Sequence, residues 1–103
     1  MQRGSIRELI KAGKAEEISQ ILKLISHPMR LKLLCYLLDS EKSVLELAEL
    51  CEATQVATSQ ALALLKSEKL IECKKDGQFV FYRISDPRVG ALMGAMKKVF
   101  CNH

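Results

Sequence analysis

The sequence predicts a mostly α-helical fold with one small β-hairpin, and three patterns support this prediction. Apolar residues recur at helical spacing from residue 6 to 25 and again from 29 to 38. A second helical run follows a helix-capping signal between residues 43 and 68. Two runs rich in β-branched and aromatic residues then flank the turn at 75–78, which contains Asp-Gly, a strong hairpin signal.

Local signals place the helix boundaries. Residues 43–46 read Ser-Val-Leu-Glu, a capping box in which serine and glutamate satisfy each other's backbone amides. Thr54 can cap the following helix, and Pro28 and Pro87 suit the first turns of two others. Gly13 is expected to weaken the first helix, which is predicted as a single helix over residues 6–25, without ending it.

The element order is therefore helix, helix, helix–turn–helix, hairpin, helix, which is the order of a winged helix–turn–helix domain with a helix added at each end. Residues 1–103 are predicted to form this one domain. The helix–turn–helix spans about 43–68 and the hairpin, or wing, about 70–84. Terminal helices at about 6–25 and 87–101 are expected to form a homodimer, since both have apolar or small residues to bury.

Composition is that of a globular chain, with 49% apolar and 27% charged residues. No apolar run is long enough to span a bilayer and no secretion signal begins the chain. We therefore expect a cytoplasmic protein that does not insert into membranes and whose four cysteines are thiols. No nucleophile–base–acid set or phosphate-binding glycine loop is present, so neither an enzyme nor a cofactor is expected.

The net charge of +4 permits nucleic-acid binding but does not require it. In a helix–turn–helix the second helix enters the major groove, and its first side chains contact base edges. The predicted DNA-binding residues are those at the start of that helix, one lysine near its end, and three on the wing: Gln55, Val56, Thr58, Ser59, Gln60, Lys66, Lys74, Lys75 and Gln78. Lys42, Lys69 and Arg30 are further candidates for phosphate contacts. A capped, solvated helix start would give the same polar cluster without any DNA.

A two-fold dimer of such a domain would bind double-stranded operator DNA as an inverted repeat, with half-sites about one helical turn apart. The segment from residue 21 to 85 resembles the ArsR/SmtB family of small dimeric repressors. The matching motifs are "SHPMRLKLL", "SVLELA", "TSQALALLKSEKLI" and "DGQFVFYRIS". The resemblance implies a repressor that an inducer releases from its operator. Ala61 departs from the family pattern, which often has His or Arg there.

Many members of this family sense metals, but the usual ligand positions do not match. Ser43 and Leu45 occupy the places of a Cys-x-Cys pair. The cysteines are separated by 16, 22 and 28 residues, which excludes a Cys-x-x-Cys zinc motif. No metal site is therefore predicted, although a site assembled from Cys35, Cys101 and His103 stays open as an alternative.

Cys35 and Cys101 instead match the sulfide-responsive branch of the family, the BigR/SqrR-like persulfide sensors. This resemblance implies that reactive sulfur species bridge the two thiols and so weaken DNA binding; a general oxidant sensor is a further alternative. Cys35 shares a helical face with leucines, so it is expected to be buried, with a raised pKa, and to act after Cys101. Cys51 is predicted to pack in the core and Cys73 to face inward.

Overall fold

The computed structural model describes residues 4–101, over which the chain forms six helices and three strands. The elements in chain order are α1 (Ile6–Lys11), α2 (Lys14–Ile25), α3 (Pro28–Asp39), β1 (Lys42–Ser43), α4 (Val44–Leu50), α5 (Gln55–Ser67), β2 (Ile71–Asp76), β3 (Phe79–Ile84) and α6 (Pro87–Phe100). The fold is mostly helical with a small antiparallel sheet, as the sequence predicts. No helix among the described residues is long and apolar enough to cross a membrane.

The first helical segment differs from its prediction, because α1 and α2 replace the single helix expected over residues 6–25. Gly13 precedes α2 with φ of 78° and ψ of 14°, a left-handed conformation that a continuous right-handed helix does not contain. Ser5 and Glu8 form a capping box at the start of α1. The glycine therefore ends one helix and begins another.

The capping signals of the helix–turn–helix are confirmed. The Ser43 hydroxyl accepts from the Glu46 amide at 3.2 Å, and Glu46 Oε1 accepts from the Ser43 amide at 2.9 Å. The Thr54 hydroxyl accepts from the amide of Ala57 at 3.0 Å. These bonds satisfy backbone donors at the first turns of α4 and α5, so both helices begin where the sequence places them.

The sheet contains one strand more than the predicted hairpin. The wing strands β2 and β3 are antiparallel, with Asp76 opposite Phe79 across a two-residue turn in which Gly77 has φ of 66°. The short strand β1 adds to the other edge of β3, so the strand order is β1-β3-β2. This pairing fixes the start of α4 against the wing.

The core lies around α3, which packs against α5, α6 and β3. Leu33 and Leu34 of α3 are fully buried, as are Leu62 and Leu65 of α5. At the far end, Asp86 caps α6 by accepting from the Arg88 amide at 2.9 Å, and Arg88 also pairs with Glu17 of α2. Because it packs against α5 and α6, helix α3 contacts both the helix–turn–helix and the C-terminal helix.

Candidate functional site

The exposed face of α5 contains most of the residues predicted to contact DNA bases. Gln55, Val56, Ser59 and Gln60 are all exposed, and Val56 has 67% of its surface accessible. They occupy the first two turns of a helix whose N-terminal end is fixed by the Thr54 cap. These side chains therefore project from the part of the helix that reaches base edges in helix–turn–helix proteins.

Thr58 does not fit its predicted role in contacting bases. Its side chain is fully buried, and its hydroxyl donates to the backbone carbonyl of Thr54 at 2.8 Å. The inward face of α5 consists of Thr58, Leu62 and Leu65, with Ala61 partly buried beside them. Ala57 and Leu64, two apolar residues of the same helix, are exposed instead. A threonine can replace an apolar residue in the core because its hydroxyl is satisfied locally.

The wing presents the predicted polar side chains to solvent. Lys74 and Lys75 are exposed on β2, and Gln78 is exposed in the turn that follows. Lys66 is exposed near the end of α5, where a hydrogen bond with Cys73 of β2 is the largest cause of its raised pKa. Lys66 therefore reaches toward the wing and stays charged at neutral pH.

Two of the further candidates for phosphate contacts, Lys42 and Arg30, are partly buried against the rest of the protein. The Lys42 ammonium donates to the Tyr36 carbonyl and to the Ser40 hydroxyl, both at 2.9 Å. It thereby satisfies carbonyl groups at the C-terminal end of α3, a structural role that the prediction did not include. Arg30 is partly buried, and its Nε atom has no hydrogen-bond partner within residues 4–101.

Two further exposed residues, one on α5 and one on the wing, were absent from the prediction. Ala63 follows Val56 by seven residues, two helical turns, and is also exposed. Phe79 begins β3 at the tip of the wing and is 56% exposed. The spacing from Val56 could have identified Ala63, whereas the exposure of Phe79 depends on the sheet.

A groove of about 700 Å³ separates α3 from the C-terminal part of α6. Its lining is mostly apolar and includes two cysteines, one on α3 and one directly after α6: Leu31, Cys35, Tyr36, Leu38, Asp39, Met93, Met96, Lys97, Phe100 and Cys101. Both of these cysteines are free thiols. The fold thus brings the two predicted redox residues, distant in sequence, to the same groove.

The environment of Cys35 differs in one respect from its prediction, since this side chain is exposed and not buried. Its position beside the groove still raises the pKa of its thiol, first through desolvation and second through the negative charge of Cys101. Cys101 is also exposed and follows the last turn of α6, where its amide donates to the Lys97 carbonyl at 2.8 Å.

The other two cysteines are placed differently. Cys51 is buried, with 7% exposure, as predicted, and desolvation is the largest cause of its raised pKa. Cys73 is partly buried on β2. No group of three or more His, Cys, Asp and Glu residues within 4–101 is arranged to hold a metal ion. The alternative metal site includes His103, which lies outside the described residues.

The capped recognition helix, the basic wing and the strand order define a winged helix–turn–helix DNA-binding protein. No protein-family model matches the chain. The sequence is nevertheless 34% identical over 88 residues to the biofilm growth-associated repressor of Xylella fastidiosa, covering 85% of this chain and 77% of that one. It is 40% identical over 81 residues to the transcriptional activator HlyU of Vibrio cholerae, covering 79% and 75%.

The fold is also similar to solved structures of transcription regulators. The repressor BigR from Xylella fastidiosa superimposes with a TM-score of 0.86 at 32% identity, over 96% of this chain and all of that one. Reduced HlyU from Vibrio cholerae gives a TM-score of 0.84 at 34% identity, over 91% and 99% of the two chains. The chain belongs to the ArsR/SmtB family of winged helix–turn–helix transcription regulators, and it is not an enzyme.

Proposed function

We propose that this regulator is a homodimeric repressor that releases its operator when reactive sulfur species bridge Cys35 and Cys101. The observation that supports the proposal is the shared groove, which places one thiol on α3 and the other at the end of α6.

The raised pKa of Cys35 supports a reaction order in which Cys101 attacks first. Desolvation and the nearby Cys101 raise the pKa of Cys35, so a smaller fraction of Cys35 is thiolate at neutral pH than of an ordinary cysteine, and Cys35 is assigned the second step. The Cys101 thiolate attacks the outer sulfur of an organic persulfide, forms a protein persulfide and releases the organic thiolate. The Cys35 thiolate then attacks the Cys101 sulfur and expels hydrosulfide. Two thiols and one persulfide give one disulfide, one organic thiol and one hydrogen sulfide.

A longer bridge forms when a second persulfide extends Cys101 before Cys35 reacts. Cys35 then attacks the middle sulfur of the three-sulfur chain and again expels hydrosulfide, which leaves a trisulfide. Because a disulfide requires Cα atoms within about 7 Å, an inserted sulfur atom lets the two helices bridge over a greater separation.

A bridge in the groove affects the DNA-binding surface through α3. Leu33, Leu34 and Leu37 of α3 are buried in the core, and α3 packs against both α5 and α6. Fixing α3 to the end of α6 shifts the orientation of α5, and a dimer on an inverted repeat tolerates little change in the spacing of its two recognition helices. A 100-fold loss of affinity corresponds to only about 2.7 kcal/mol.

Exposed apolar residues on the terminal helices support the dimer. Ile6 and Ile10 of α1 are 74% and 56% exposed, and Val99 and Phe100 of α6 are 67% and 78% exposed. Among the structural relatives is a homodimeric winged helix–turn–helix domain from Mycobacterium bovis, described as a possible ArsR-family regulator, with a TM-score of 0.75 at 27% identity over all of this chain and 93% of that one. A homodimer of this chain would bury these side chains and present two copies of α5 to an inverted repeat.

The test begins with reduced, metal-free protein. Samples are treated with an organic persulfide, with hydrogen peroxide or with zinc. They are then alkylated and digested, and the peptide masses are measured by mass spectrometry. We expect a Cys35–Cys101 peptide pair, with or without added sulfur, in the persulfide sample. Release of a fluorescent operator duplex is measured in parallel.

Three variants make the test specific. Cys35→Ser and Cys101→Ser should keep DNA bound after persulfide treatment, whereas Cys73→Ser should release it like the parent protein. Four alkylated cysteines after persulfide treatment would contradict the proposal. Bridging by peroxide alone would instead indicate a general oxidant sensor, and retained zinc with release of DNA would indicate a metal sensor.

A further inference from the structure

The side chains of α5 that point furthest from the core form a short line. Val56, Gln60 and Ala63 are separated by four and three residues, so they lie along one side of the helix. All three are exposed, and by helical geometry they lie opposite the buried Thr58 and Leu65. Val56 and Gln60 belong to the first two turns, from which recognition helices contact base edges.

No charged side chain lies between Gln55 and Leu65. The commonest specific contact to guanine is a bidentate bond from Arg or Lys, and cytosine is read by an Asp or Glu that accepts from its amino group. Neither type is present on the exposed face of α5 before Lys66, which lies near the end of the helix. The start of this helix therefore lacks the residues that best recognise a G·C pair.

The residues that are present are suited to an A·T base pair. A glutamine can make two hydrogen bonds to adenine, through its N6 and N7 atoms, and an apolar side chain can contact the thymine methyl group. An exposed valine is ordinary by itself. Val56 differs in its position, because it is 67% exposed in the first turn of the recognition helix and a thymine methyl is an apolar group at the surface of the major groove.

We infer that α5 reads A·T base pairs at the centre of each half-site, with Val56 against a thymine methyl and Gln60 bonded to an adenine. This inference rests on the proposed binding of operator DNA. Four residues of helix rise about 6 Å, and bases on one strand are about 3.4 Å apart. The two contacts therefore fall within about two base pairs of each other.

The test starts with selection of bound duplexes from a random pool by the reduced protein, at low and at moderate salt. We expect the half-sites selected at moderate salt to have A·T pairs at their centre. One thymine of one half-site is then replaced by uracil, which lacks only the methyl group. The loss of one buried methyl contact should weaken binding of the parent protein about threefold to fivefold.

Variants assign the contact to a residue. Val56→Ala should bind the thymine and uracil duplexes equally well, and Gln60→Ala should lose the preference for adenine over 7-deazaadenine, which lacks the N7 acceptor. Leu45→Ala is the matched control, because Leu45 is 63% exposed but lies on α4, and it should keep the thymine preference.

Selection of G·C pairs at the centre, or an unchanged uracil penalty in Val56→Ala, would overturn the inference while leaving DNA binding intact. Failure to retain any duplex at low salt would overturn the proposed operator binding and the inference with it. The two results are distinguishable because non-specific retention does not depend on base contacts.

Discussion

The exposed face of α5 and the groove between α3 and α6 differ in chemistry. The first has no charged side chain before Lys66, combines polar residues such as Gln60 with apolar ones such as Val56, and contains no group that titrates near neutral pH. The second is mainly apolar and has two thiols on its walls. No residue of α5 lines the groove, so a modification there cannot block the exposed side chains of α5 directly and must act through the packing between the two regions.

Helix α3 is the element that connects them. Its buried leucines pack in the core shared with α5, while Leu31, Cys35 and Leu38 line the groove. If this account is correct, changes in α3 should affect both regions, whereas changes confined to α5, the wing or the groove should affect one. Four predictions test that division, from the largest expected effect to the smallest.

Removing a core side chain of α3 should damage both regions together. Leu33→Ala should lower the free energy of unfolding by about 2–5 kcal/mol, because the residue is fully buried and truncation leaves a cavity. Urea titration followed by circular dichroism measures this loss. Leu45→Ala, which truncates a leucine exposed on α4, should change stability little. Equal stability of the two variants would show that α3 does not organise the core.

Removing the wing lysines should affect only the DNA-binding region. The Lys74→Ala, Lys75→Ala double variant should reduce the slope of log affinity against log salt by about two per subunit, since each lysine is expected to contact one phosphate. Fluorescence anisotropy at several salt concentrations measures the slope. Lys42→Ala is the control, because its ammonium already caps α3 and should affect stability instead. An unchanged slope in the double variant would place the wing away from DNA.

Adjacent residues of α5 should separate stability from DNA recognition. Thr58→Val should lower stability by about 1 kcal/mol, because it removes the buried hydroxyl that donates to the Thr54 carbonyl, and should leave operator affinity nearly unchanged. Ser59→Ala should lower operator affinity and leave stability nearly unchanged, since Ser59 is on the exposed face of α5. Thermal denaturation and operator titration of both variants provide the measurements. Loss of affinity without loss of stability in Thr58→Val would contradict the burial of this residue.

The smallest effect is expected within the groove. The pKa of Cys35 is raised, so its alkylation by iodoacetamide should require a higher pH than that of an ordinary thiol. Cys101→Ser should lower this pKa slightly, because it removes the nearby negative charge, while the larger desolvation effect remains. Rates are measured against pH in a Cys51→Ser, Cys73→Ser background. No downward shift on loss of Cys101 would mean that the two thiols do not interact in solution.

Sequence alone determined the features that depend on near neighbours. The caps at Ser43 and Thr54, the first turns at Pro28 and Pro87, and the Asp-Gly hairpin all arise from residues within a few positions of one another. Local hydrogen bonds and restricted backbone angles favour them without help from distant residues. This is why the winged helix–turn–helix order, and with it the family, could be predicted.

Tertiary structure decided the features that depend on distant neighbours. The rotation of α5, which buries Thr58 and exposes Leu64, results from its packing in the whole core, so helical spacing alone did not fix it. The strand β1 has only two residues and exists by pairing with Tyr82 and Phe81 of β3. Cys35 and Cys101 meet in one groove because α3 packs against α6, and such long-range contacts depend on the summed burial of many side chains.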